Sequence, residues 1–155
     1  MRCVVQRSSL IALAFFCVVF SLSATPASAQ AAGVRVGASA DPDQFFFGGH
    51  LETGPLADRL HFRPNAEVGV GNNVTLVALN FEFAYKFATS RPWGIYAGGG
   101  PALNVISTAR DDHAEGGFNI MIGAEHRQGL FGELKIGALD SPDLKLCVGY
   151  VLRRR

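Results

Sequence analysis

The side chains best suited to acid–base work near neutral pH are His50, His61, His113 and His126. They are scattered, and with Cys147 as the one cysteine past the first apolar stretch they make no short-range set of zinc ligands. His50 stands two positions before Glu52, the spacing of neighbours on one strand face, and the two are expected to pair through a hydrogen bond. Asp111-Asp112-His113-Ala114-Glu115 offers carboxylates to a hard cation but lacks the glycine-centred spacing of an EF-hand, and it is read as a solvated loop tip. Gly98-Gly99-Gly100 is followed by no Lys-Ser or Lys-Thr and opens no helix, so it is not a phosphate loop. Glycine inside a strand instead marks a bend or a close backbone approach. No catalytic residue, cofactor or metal is assigned on these patterns.

The chemistry that does recur is ionic. Arg35, Arg63, Lys86, Lys135 and Lys145 stand against Glu52, Glu67, Glu82, Glu125 and Glu133, all in stretches where polar and apolar residues alternate. Buried charges persist when they are paired, so this balance suits a closed, filled interior.

The elements that would position these charges are strands. From residue 30 on, no segment repeats apolar residues at helical spacing for long, whereas period-two alternation recurs between turn residues. The clearest run is 76–87, where Val77, Leu79, Phe81, Phe83, Tyr85 and Phe87 alternate with Ala78, Asn80, Glu82, Ala84 and Lys86. Strands are predicted over 33–40, 44–53, 59–71, 74–87, 93–105, 116–126, 130–138 and 144–153. Their breaks are short and turn-like, as at Asp41-Pro42-Asp43 and Asp140-Ser141-Pro142-Asp143, and Ser107 to Glu115 is the one longer link expected. An even number of antiparallel strands can close on itself. Proline removes a ladder donor, so a bulge near Pro64 or a strand beginning after it is expected, with Pro101 near a membrane boundary.

Length and composition agree. The chain has 155 residues, 48% of them hydrophobic and 17% charged, with 18 glycines and a formal net charge of +1. Disorder and nucleic-acid binding are excluded on that profile. Arg2 and Arg7, an apolar run over 10–22 and Ala27-Ser28-Ala29 follow the order of a secretory signal peptide, assigned to 1–29. The run is too short for a membrane helix, and Cys17 lies inside it instead of at a lipoprotein cleavage site. The mature domain, 30–155, keeps every glycine and only Cys147, so no internal disulfide holds it.

The two strand faces decide between two kinds of barrel. One face collects twenty bulky apolar residues, among them Phe45, Phe47, Phe81, Phe83, Ile120 and Ile122. Turned inward, they would overcrowd an eight-stranded lumen. Turned outward, they face lipid, and the ionic set lines the interior. The competing reading is a soluble exported barrel with Phe81 and Phe83 inside, binding a small apolar ligand. Trp93, Tyr96, Tyr85, Phe87 and Tyr150 lie near predicted strand ends, where an aromatic girdle forms.

The leader, the eight alternating strands, the glycine-rich Tyr96-Ala97-Gly98-Gly99-Gly100-Pro101 and the final strand Leu144-Lys145-Leu146-Cys147-Val148-Gly149-Tyr150 resemble the OmpA-like and OmpX-like outer-membrane barrels. The resemblance implies an all-β, up-and-down eight-stranded transmembrane barrel with a side-chain-filled polar lumen in a Gram-negative-type outer membrane. It also implies a monomer that meets outer-membrane lipid and the assembly machinery, with a role in envelope structure or surface interaction. Two features depart from it: Tyr150 is followed by Val151-Leu152 and three arginines, and long loops are missing. Related barrels that deacylate lipid A would need Ser two positions from His. Here His50 is followed by Leu51-Glu52 and His61 by Phe62-Arg63, so a non-enzymatic protein is expected.

Overall fold

The computed structural model describes residues 29–71, 74–108 and 111–153. Apart from Ala29, the expected leader lies outside them, as do Arg154 and Arg155. Nine strands form one antiparallel sheet: β1 (Ala29–Ala40), β2 (Gln44–Thr53), β3 (Pro55–Ala57), β4 (Leu60–Gly71), β5 (Val74–Lys86), β6 (Trp93–Thr108), β7 (Asp112–His126), β8 (Leu130–Leu139) and β9 (Leu144–Arg153). Successive strands pair in chain order, β1 pairs with β9, and β2 pairs with β4, which closes an eight-stranded barrel. The three-residue β3 lies outside that closure and pairs with the start of β4. Full closure leaves no barrel strand with an open edge.

Alternation carries through to burial. On β5, Leu76, Ala78, Asn80, Glu82 and Ala84 are buried, while Leu79, Phe81, Phe83 and Tyr85 are exposed. Outside stand Phe45 at 80% exposure, Ile120 at 57% and Leu146 at 61%, an inverted arrangement for a protein dissolved in water. With Phe81 and Phe83 outside and charged groups inside, the soluble ligand-binding barrel is overturned.

Three expectations about the strands need correction. The described part of the link from Ser107 to Glu115 is largely strand: β6 continues to Thr108, β7 begins at Asp112, and Ser107 pairs with Asp112. This hairpin extends β7 past the end of its pairing with β8 at Gly117, so its side chains carry no alternating apolar signal.

Pro64 needs no bulge, because β4 begins before it and stays in register with β5 through Pro64↔Phe81. A proline holds such a position when its nitrogen faces the other neighbour, and β2 pairs with β4 only as far as His50↔Asn65, leaving no ladder bond to lose. Pro101 sits in the middle of β6, not at a boundary. It pairs with Phe118 on β7, and on its other side the β5 ladder skips Phe81 and Glu82. Next to that gap, a Cβ on Gly98 or Gly100 would strike the carbonyl oxygen of Phe83 or Phe81, so the glycines hold β6 close to β5.

Candidate functional site in the barrel lumen

Inward positions on every barrel strand but β6, which contributes Tyr96 and Asn104, bring the charged side chains together. Glu67 on β4 accepts from Arg35 Nη1 at 3.2 Å, Lys135 Nζ at 3.3 Å and Lys145 Nζ at 2.9 Å. Glu133 on β8 accepts from Arg35 Nη1 at 3.1 Å and Arg63 Nη1 at 3.4 Å, and the Tyr96 hydroxyl donates to it at 2.7 Å. Glu82 on β5 takes Lys135 Nζ at 2.7 Å and Asn65 Nδ2 at 2.7 Å. Lys135 is thus enclosed by three carboxylates, the third being Glu133 at 3.6 Å. These ion-pairing side chains are nearly free of solvent, so each charge depends on its partners.

Amides and rings complete the packing. Asn80 donates to Asn65 at 2.7 Å, and Asn119 donates to Asn80 at 2.8 Å, a ladder running across β4, β5 and β7. The Arg63 guanidinium lies 4.6 Å from the Tyr96 ring centre, and both Arg35 and Arg63 lie 5.6 Å from that of Phe131. Such stacking suits guanidinium, which is weakly hydrated.

The two mouths differ. At the end carrying Ala29 and Arg153, Glu52 accepts from Lys86 Nζ at 2.5 Å and has Arg63 Nε at ion-pair distance, 3.3 Å, without a hydrogen bond, and Lys86 also meets Glu125 at 3.5 Å. The Lys86 side chain retains 25% exposure, so this cluster is the wet rim of the network. At the opposite mouth the turn between β8 and β9 folds inward. Ser141 and Pro142 are buried, and Asn104 Nδ2 donates to the Asp140 carbonyl at 2.7 Å, which plugs the opening.

The structure places all ten charged residues singled out in the sequence on the inside, with Lys86 at the rim. It does not bring His50 and Glu52 together. His50 lies edge-on to Phe131, with Nε2 3.4 Å from Arg63 Nη2, while Glu52 has His61 Nδ1 at 3.7 Å. Glu52 lies one strand step nearer the rim, where Lys86 and Arg63 reach it first. Tyr96 also departs from expectation: it is 1% exposed and points into the lumen, whereas Trp93, Tyr85 and Tyr150 face outward. The lumen further holds Phe46, Asn65, Asn104, Asn119 and Phe131, which sequence reasoning passed over. Their signal was present, since Phe131 shares the phase of Glu133 and Lys135, and Phe46 that of His50 and Glu52. Among the described residues no group of three or more His, Cys, Asp and Glu could hold a metal ion. His113 instead meets Glu115 at 3.2 Å on the outer hairpin.

A closed antiparallel barrel with an apolar outside and an ionic, side-chain-filled inside is a membrane β-barrel of the small eight-stranded class. Solved structures of that class superpose on it. Neisserial surface protein A matches with a TM-score of 0.64 and 13% identity, over 80% of this chain and 95% of that one. The N-terminal β-barrel domain of Pseudomonas aeruginosa OprF matches with a TM-score of 0.54 and 15% identity, over 81% of this chain and 99% of that one. Both are eight-stranded outer-membrane barrels, and at these identities the likeness is one of fold. No family model and no curated protein matches the sequence.

Proposed function

We propose that this protein is a non-enzymatic, monomeric barrel of a Gram-negative-type outer membrane, serving envelope structure or surface interaction. The observation that carries the reading is the pairing of an apolar outer face with an electrically neutral, plugged lumen. Outer-membrane lipid would cover the apolar face, and the assembly machinery would insert it. Full closure favours a monomer, because each barrel strand already has both its neighbours. The histidines favour a structural role over catalysis, since each is engaged separately: His50 by Arg63, His61 by the Thr53 carbonyl, His113 by Glu115 and His126 by the Trp93 ring.

Membrane fractionation tests this reading directly. The protein should partition with the outer membrane and migrate on a gel as a heat-modifiable compact form. Recovery wholly in the soluble periplasmic fraction would refute it.

A further inference from the structure

The charges that do not enter the lumen separate by end. At the end carrying Ala29 and Arg153, the β3–β4 turn holds Arg59, the β5–β6 loop holds Arg91 and the β7–β8 turn holds Arg127, all exposed. Asp58 is the one acidic residue in these connections. The opposite end carries Asp41 and Asp43, then Asp111 and Asp112, then Asp140 and Asp143. Against these six aspartates the sequence sets one cation, Arg110, in the connection between β6 and β7.

One corner of the basic end is built. Arg127 Nη2 donates to the Ser90 carbonyl at 3.2 Å, and the Arg127 amide donates to the Pro92 carbonyl at 2.9 Å, which ties the β7–β8 turn to the loop bearing Arg91. Trp93 adjoins that loop, stacked on His126 with ring centres 5.0 Å apart and 45% exposed, and Phe87 is 50% exposed at its other side. The exposed Arg91, and Arg127 tied to its loop, thus share this corner with the exposed rings of Trp93 and Phe87. Guanidinium suits phosphate oxygens through paired hydrogen bonds, and an amphipathic ring suits the level at which headgroup meets acyl chain.

On the membrane-barrel reading proposed above, we infer that this arginine-bearing end is a docking surface for anionic phospholipid, with Arg91 and Arg127 gripping the headgroup phosphate beside Trp93. The acidic opposite end repels the same headgroups, so the charge separation also gives the barrel a preferred direction between leaflets of unequal charge.

The chain's single tryptophan is Trp93, which supplies the probe. The purified protein is reconstituted in vesicles of phosphatidylcholine and phosphatidylglycerol, with one lipid or the other brominated at equal mole fraction, and Trp93 fluorescence is read. Brominated phosphatidylglycerol should quench as though favoured by about fivefold, the equivalent of about 1 kcal/mol for a basic side chain at an anionic surface. The preference should vanish in the Arg91→Gln/Arg127→Gln variant and fall with added salt, while Asp41→Asn/Asp43→Asn leaves it unchanged. Equal quenching by both lipids would overturn the docking surface yet leave the membrane barrel standing. Quenching by neither lipid would overturn both.

Discussion

Removing the Glu67 carboxylate tests the lumen at its most dependent pair. Lys145 Nζ lies 2.9 Å from Glu67 Oε2, their side chains are 4% and 2% exposed, and among the described residues Glu67 is the only carboxylate in ion-pair reach of Lys145. Glu67→Leu therefore leaves Lys145 buried beside the Phe46 ring without a counter-charge, and takes from Arg35 one of its two carboxylates. Breaking a buried pair in this way costs about 3–5 kcal/mol. The converse change is milder. After Lys145→Met, Glu67 keeps Arg35 at 3.2 Å and Lys135 at 3.3 Å, so the loss is that of one charged hydrogen bond, about 1.5–3 kcal/mol. Glu67→Leu combined with Lys145→Met restores equal numbers of cations and anions, and it should be more stable than Glu67→Leu alone, with a coupling of about 0.5–3 kcal/mol. Urea unfolding of the purified protein in detergent micelles, followed by Trp93 fluorescence, measures all three variants. An unchanged midpoint for Glu67→Leu, or a double variant whose loss is the sum of the single losses, would refute the claim that the lumen is held by charge balance.

Two further substitutions probe the wall. Ile120 lies mid-strand on β7 with 57% exposure, so Ile120→Arg should lower stability in vesicles by about 2–4 kcal/mol, whereas Asp112→Arg on the outer hairpin should leave it unchanged; equal effects would place Ile120 outside the apolar band. The Tyr96 ring covers Gly123, where any Cβ would strike it, so Gly123→Val should displace Tyr96 from Glu133 and cost about 1–3 kcal/mol in urea unfolding. Gly116, with nothing within 4 Å of its Cβ position, should accept valine, and equal losses at the two sites would contradict the packing described.

The barrel was legible because its two solvents, lipid outside and counter-charges inside, alternate with a period of two, so Phe81 and Glu82 reveal opposite faces from adjacent positions. That signal ends where both faces meet the same medium. The hairpin from Ser107 to Asp112 stands past the last β7–β8 pair, and nothing in its composition separates strand from loop. Proline placement was hidden for a different reason: whether Pro64 or Pro101 loses a bond depends on which neighbour its nitrogen faces, a property of register and not of the local sequence. Nor could strand phase alone show that Arg63 would reach Glu133, since that contact spans 70 positions.

The glycines and the ionic lumen are two aspects of one packing problem. An eight-stranded barrel has room inside for side chains and little else, so long cations, carboxylates and rings must be offset by positions that contribute no volume. Here the offsets are specific: His50 lies over Gly33, Tyr96 over Gly123 and Phe131 over Gly149, each where a Cβ would collide. Those three rings in turn hold the guanidinium groups of Arg35 and Arg63 against Glu133. Replacing a cradle glycine should therefore disturb an ion pair it never touches. The low charge content and the high glycine content of this chain are thus coupled through the lumen, because every pair buried there needs a neighbour that yields it space.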